Sequence, residues 1–477
     1  MRISLCSFCL FFFLALPPSP LASSPEKGVD AVLVIDSSGS MKNTDPGNLR
    51  KAAAKMFISL LGKEDKVGIV EFDREGRLLS RLIAAEEGKT RKDLFRAIGS
   101  ITSAGLFTHI HDGIRKGFDL LATSSAADKV LILLSDGKMD LGDRTKEEFL
   151  TAQMTDSLFP ALKAARIKVY TIAFTANSDR RLLEQIAEKT GGFFSLASTG
   201  NDLHIVFAKL FSMIKSPDTL PLQGEGFYVD KDVRELTLLA TKKSAGATIS
   251  LRDPSSRELT SATPSPGITW FGSTAFMMVT VKNPAAGRWK VTLSSDEGNK
   301  VFIVTDLKLC SSLDKTYVPP GANLKVDVWL QKDKEVIRSK EVFAHLKLSA
   351  RVRTPGGSII ELPLRGAAEG STSPPDGGVY SAQYFPDRYG DYSVTLRAEA
   401  PTFTREKEFS FIVGKDSHGK ALPSARSDVP GNKDHGEPLS WAAVFVKLFM
   451  INTAAAAVIA SGFYARGLRE KIRRQKR

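Results

Sequence analysis

The 477 residues are 42% hydrophobic and 25% charged, the balance of a folded chain rather than a disordered one, and enough for about three ordinary domains. The formal charge of +13 is concentrated at the ends: the last twelve residues contribute +6, and Arg2 and Lys447 one each. The +5 left on residues 23–440 is mildly basic and gives no case for nucleic-acid binding.

Taken in order, Met1 to Leu16 holds one positive charge followed by a short apolar run, and small residues and prolines continue to Ala22. This is the pattern of a cleaved secretory signal over residues 1–22. Next comes Val32-Leu-Val-Ile35, an apolar run expected to form a strand buried on both faces of a parallel sheet. It ends in Asp36-Ser-Ser-Gly-Ser40, where Asp36, Ser38 and Ser40 present three oxygen donors with one residue between each pair. Ligands of α/β sheets gather at such strand ends. A carboxylate with two hydroxyls suits a hard divalent cation: Mg2+ first, with Mn2+ or Ca2+ as alternatives. No His or Cys joins them, which argues against zinc.

From residue 27 to 216 strands alternate with helices, predicting a mainly parallel sheet covered on both faces. Apolar residues from Ala52 to Leu61 recur at helical spacing, with Gly62 as a stop. Lys66–Phe72 and Arg77–Ala84 read as strands, the second at an edge, and Leu94, Ile98 and Ile101 mark a helix. A helix from about Ile110 to Leu121 precedes Lys129-Val-Leu-Ile-Leu-Leu-Ser-Asp-Gly137, a second buried strand ending in a carboxylate and a glycine. Glu147–Ala165 reads as a helix broken near Pro160, and Lys168–Phe174 as a strand. Leu182–Lys189, Phe193–Leu196 and Asp202–Ile214 follow as helix, strand and helix.

Asp36-x-Ser38-x-Ser40, Thr108 ahead of a helix, and Ser135-Asp136-Gly137, in this order and at these strand ends, resemble the von Willebrand factor A family. The resemblance implies a Rossmann-like fold and a metal-ion-dependent adhesion site. Ser38, Ser40 and Thr108 would be the nearest ligands of a Mg2+, with Asp36 and Asp136 holding waters or alternating as direct ligands. The family commonly has two glycines before the threonine; here Leu106-Phe107 precede it, and Thr102 is the alternative hydroxyl. A cation held by neutral hydroxyls and two carboxylates keeps residual positive charge, which an Asp or Glu of a protein partner can complete. His109, His111 and Asp112 beside Thr108 are expected to cap and face a helix rather than bind a second metal.

A haloacid-dehalogenase-type phosphohydrolase with Asp36 as nucleophile is the enzymatic alternative, but it needs an acid where Ser38 stands. No Gly-x-Ser-x-Gly elbow surrounds Ser38 or Ser40, and there is no phosphate-binding Gly-x-x-x-x-Gly-Lys loop. A binding protein rather than an enzyme is expected.

Beyond Pro217 the helical period disappears, and short alternating strands run to Val413. Gly287-Arg-Trp-Lys-Val-Thr-Leu293 matches Gly390-Asp-Tyr-Ser-Val-Thr-Leu396, and Ile249–Pro254 matches Ala350–Pro355, at an offset of roughly one hundred residues. Two all-β, immunoglobulin-like sandwiches over 217–304 and 305–414 are expected, serving as a stalk. A polar linker over 415–440 leads to a transmembrane helix over 441–464 with aromatic residues at both ends. Residues 465–477 form a basic tail, whose charge marks the cytoplasmic side and can lie against anionic lipid. Only Cys310 lies outside the signal, and no Asn-x-Ser/Thr sequon occurs, a usage that favours a bacterial chain in the cytoplasmic (inner) membrane facing the periplasm or exterior. A channel-regulator-like role is the second functional alternative, on the likeness of the domain order to such proteins.

Overall fold

The computed structural model describes residues 28–414, apart from 176–177, 264, 315, 340–341, 344 and 366–377. The expected signal, linker, membrane helix and tail lie outside the described residues. Among the described residues no helix is long and apolar enough to cross a membrane.

The first part is a six-stranded sheet in the order β3-β2-β1-β4-β5-β6. Its strands are β1 (Val29–Asp36), β2 (Lys66–Phe72), β3 (Gly76–Ala84), β4 (Asp128–Ser135), β5 (Ile167–Phe174) and β6 (Phe194–Ala197). All neighbours pair in parallel except β2 and β3, so the antiparallel strand is the edge that Arg77–Ala84 suggests. Every residue of β1 is buried, Asp30 and Asp36 included, and the apolar run Ala31–Ile35 follows because helices cover both faces and leave no solvent side to alternate toward.

Among the described residues the α-helices of this part are α1 (Met41–Thr44), α2 (Leu49–Leu60), α3 (Lys89–Ser100), α4 (Ile110–Ala122), α5 (Arg144–Gln153), α6 (Phe159–Ala164), α7 (Arg180–Thr190) and α8 (Leu203–Lys215). Core residues of α2, α3 and α8 pack on one face of the sheet, and those of α4, α6 and α7 on the other. α4 lies close against the sheet: a Cβ on Gly117 would come within 2.6 Å of Leu131 Cδ1 and 3.0 Å of Val34 Cγ2. Glycine is thus what lets this helix approach and deliver its N-terminal loop to the ends of β1 and β4. The break expected near Pro160 is a π turn over Met154–Leu158 joining α5 to α6. Pro160 has no N–H for an ordinary helical bond, and the wider turn absorbs the missing donor.

After α8 the described chain is all β. The internal repeat is built the same way twice. The strand Ser250–Arg252 pairs with Gly287–Thr292, and Lys347–Arg353 with Gly390–Ala400. Gly287 (φ 134°) and Gly390 (φ 126°) each sit against a proline, Pro254 and Pro355, in a conformation disfavoured for L side chains. The aromatic of each copy is buried and returns its polar atom to the chain four residues back. Trp289 Nε1 donates to the Ala285 carbonyl at 2.9 Å, and Tyr392 Oη to the Arg388 carbonyl at 3.0 Å.

The two β modules share a sheet. The short strand Asp218–Thr219 pairs with both Lys300–Thr305 and Phe403–Val413, so a single sheet runs through both β modules. Buried Arg405 clamps the junction, with Nη1 2.5 Å and Nη2 3.0 Å from the Asp230 carboxylate and Nε donating to the Leu307 carbonyl. The α/β part packs on the first module through Phe211 on Phe302 and His204 on Phe276. It meets the second through the Thr316 hydroxyl, which donates to the Gly191 carbonyl at 2.7 Å. Residues such as Phe276 and Phe302 look like internal core of a separate sandwich, but belong to the same apolar cluster as α2 and α8.

Candidate metal centre

β1 and β4 are adjacent and parallel, with Ile35 opposite Leu134, so Asp36 and Ser135-Asp136 emerge side by side at the C-terminal edge of the sheet. Asp36 is fully buried. Its Oδ1 accepts the Ser38 N–H at 2.8 Å and its Oδ2 the Ser135 hydroxyl at 2.7 Å. Burial pushes its carboxyl up to about 6, against the partial opposition of these Ser135 and Ser38 hydrogen bonds. The Ser38 and Ser40 hydroxyls lie 2.9 Å apart, and Ser40 Oγ donates to Asp136 Oδ1 at 2.8 Å. Asp136 Oδ2 accepts the Thr44 hydroxyl. The result is one ring of side-chain oxygens, buried at Asp36, Ser38 and Asp136 and reaching solvent at Ser40.

Thr108 is also buried, and its side chain lies against Gly137: a Cβ there would stand 3.5 Å from Thr108 Oγ1. Its backbone is held in an isolated bridge to Asp140, with Thr108 N donating at 2.8 Å and Asp140 N returning at 3.2 Å. Upstream, Gly39 N donates to the Gly105 carbonyl at 2.7 Å, and Gly105 N to the Ser37 carbonyl at 3.1 Å. Asp36, Ser38, Ser40 and Asp136 are thus linked at the ends of β1 and β4, and Thr108 lies against Gly137, the residue after Asp136. Thr102, the alternative hydroxyl, is exposed, and its carbonyl accepts from Arg50 Nη2 at 3.0 Å.

The histidines take structural positions. His109 Nδ1 accepts the Asp112 N–H at 3.3 Å as the cap of α4, and Asp112 itself accepts the Gly76 N–H at 2.7 Å. Burial lowers the pKa of both His109 and His111.

Three contributors are less plain from sequence. Ser135 lies beside a recognisable Asp-Gly but shows no sign of bonding Asp36. Thr44 reaches Asp136 only because a one-turn helix follows Ser40. Asp45 and Arg50, both buried, pair at 2.7 Å beneath the loop, and Arg50 Nη2 also donates to Ser103 Oγ at 2.8 Å. No run or period in the sequence announces that pair.

The donor set fits a hard divalent cation. Two carboxylates converge with three hydroxyls, and among the described residues neither Asp36 nor Asp136 has an ion-pair partner. Nor does any described cluster of three or more His, Cys, Asp or Glu offer a softer alternative. A buried carboxylate without a basic partner is costly, and a bound cation is the ordinary remedy.

A doubly wound sheet with these loops on its first and fourth strands defines an adhesion-type α/β domain. Residues 30–209 match the family model for the von Willebrand factor type A domain, and this part of the chain belongs to that family. Residues 214–306 match the model described as hemicentin galactose-binding domain-like. That stands where an immunoglobulin-like sandwich was expected, while the all-β character agrees. Calcium-activated chloride channel regulator 1 of Macaca mulatta is 26% identical over 417 residues, which is 80% of this chain and 42% of the relative. The chain therefore spans about two fifths of the length of such curated relatives. The minor fimbrium subunit Mfa5 of Porphyromonas gingivalis is 32% identical over 117 residues, 23% of this chain and 9% of that protein. Among solved structures, a von Willebrand factor type A protein from Catenulispora acidiphila is 15% identical, covers 64% of this chain and 63% of its own, and gives a TM-score of 0.35.

Proposed function

We propose that the chain is a binding protein that holds a Mg2+ through Asp36, Ser38, Ser40, Thr108 and Asp136 and captures an Asp or Glu of a protein partner. The observation that carries this is the hydroxyl–carboxylate cluster at the ends of β1 and β4, with two acids and, among the described residues, no basic side chain paired to them. When bound, the cation supplies a positive charge that a partner's carboxylate can complete. The protein's own residues do the rest. Ser135 and the Ser38 N–H orient Asp36, Thr44 and Ser40 orient Asp136, and the Asp140 bridge fixes Thr108. The Asp36 carboxylate, with both oxygens already engaged and no acid at position 38, is placed to support a ligand rather than to attack a phosphate.

In this reading the chain is exported by residues 1–22 and anchored by residues 441–464 in the cytoplasmic membrane, with the A domain outside and residues 465–477 inside. A second reading makes the partner a membrane protein such as an ion channel. It is favoured by the similarity to the channel regulators, which runs through the A domain and the β modules together.

A pull-down from native membranes tests both. Partners recovered in Mg2+ should be lost with EDTA and with Asp136→Ala, and the identity of the recovered protein separates adhesion from channel regulation. Equal recovery in EDTA would refute the cation-dependent reading.

A further inference from the structure

The loop that brings Thr108 to the ring carries two residues the cation chemistry does not use, Leu106 and Phe107. Leu106 is 82% exposed, more than any other exposed large hydrophobic residue described. A single exposed leucine is ordinary on a protein surface, but this one is held in a particular place. Gly105, just before it, is tied to Ser37 and Gly39 between the site's own strand end and Ser40. Thr108, two residues on, is tied to Asp140. With both ends of a four-residue segment pinned, Leu106 is presented rigidly beside the ring, within about two Cα–Cα steps of Thr108.

The surroundings are cationic. The Arg74 guanidinium stacks 4.5 Å over the Phe107 ring, and Arg74, Lys42 and Lys138 are exposed. Lys42 follows Ser40 by two residues and Lys138 follows Asp136 by two. The nearby Asp140 carboxylate accepts the Gly142 N–H at 3.0 Å. The rim therefore carries one fixed apolar knob, with three exposed cations, Lys42, Arg74 and Lys138, against two exposed acids, Glu75 and Asp140, on the loops around the site. Its complement is negative charge next to an apolar group.

We propose that this rim reads a protein segment in which a large apolar side chain adjoins the acidic residue that reaches the ring. The apolar side chain covers Leu106, and further acidic residues of the segment face Arg74, Lys42 and Lys138. Leu106 thereby sets which acidic segments are accepted. This rests on the cation reading above.

The test uses the purified full-length chain and short synthetic peptides on polymer beads, each with a central Glu flanked either by Leu or by Ser. In Mg2+ the wild type should be retained on Leu-flanked beads at about tenfold higher apparent affinity, the worth of one covered leucine side chain. Leu106→Ser should abolish that preference with an unchanged melting temperature, since the side chain it removes is in solvent. Equal retention of wild type on both beads would overturn the inference while leaving the cation reading intact. A preference unchanged in Leu106→Ser would overturn it as well. Absence of Mg2+-dependent retention on either bead would remove the cation reading, and the inference with it.

Discussion

Asp45→Ala probes the support beneath the candidate site. The Asp45 and Arg50 side chains are both wholly buried and pair at 2.7 Å. Asp45 also caps α2, accepting the Leu49 N–H at 2.6 Å and the Arg50 N–H at 3.1 Å. Truncation leaves a guanidinium buried without its counter-charge, at about 3–5 kcal/mol, and removes a helix cap worth about 1 kcal/mol. The expected loss of about 4–6 kcal/mol is a large share of the roughly 5–15 kcal/mol a domain has. Urea unfolding followed by far-ultraviolet circular dichroism should show the midpoint falling with little change in slope. Arg50→Met added to Asp45→Ala should recover more than half of the loss, because no unpaired charge then remains. A single-variant loss under about 1 kcal/mol, or a double variant no better than the single, would refute the reasoning.

His204 gives the pH dependence. It is 1% exposed, stacked on Phe276, with Nε2 2.9 Å from Thr241 Oγ1, and burial lowers its pKa to about 4. The unfolded chain, at about 6.5, takes up the proton first, so stability is full above that pH and is lost as pH falls toward 4. Between pH 7 and 5 the loss is on the order of 2 kcal/mol. The unfolding midpoint of His204→Gln should fall less over this interval; parallel pH profiles would contradict the assignment. Gly117→Ala should cost about 1–3 kcal/mol in thermal unfolding, because its Cβ would press on Leu131 and Val34 in a filled core. An unchanged melting temperature would show that α4 can retreat from the sheet.

Much of the α/β part was legible because its physical causes are local. β1 and β4 are apolar through Ala31–Ile35 and Val130–Leu134 because both faces are covered there, and Asp36 and Ser135-Asp136 follow at the C-terminal ends, where ligands bind. Asp36, Ser38 and Ser40 announce themselves by spacing alone. Thr108 could be placed only through the family resemblance, since its proximity depends on α4 lying close to the sheet at Gly117. Ser135, Thr44 and the Asp45–Arg50 pair act through tertiary contacts that leave no period in the sequence. The same holds for the packing of the modules. Phe276 and Phe302 alternate like the inward residues of any strand, and nothing in that alternation distinguishes a sandwich interior from a face covered by α8. The Gly-x-aromatic repeat, by contrast, was readable because each copy needs a glycine against a proline and an aromatic anchored four residues back.

Titrating Mg2+ into the chelator-stripped chain in a calorimeter shows whether the cluster of Asp36, Ser38, Ser40, Thr108 and Asp136 holds a divalent cation. Saturable binding to the wild type is expected, lost in Asp136→Ala and Asp36→Ala variants that keep their secondary structure. Binding that persists unchanged in those variants, or a folded wild type that takes up none of Mg2+, Mn2+ and Ca2+, would contradict it.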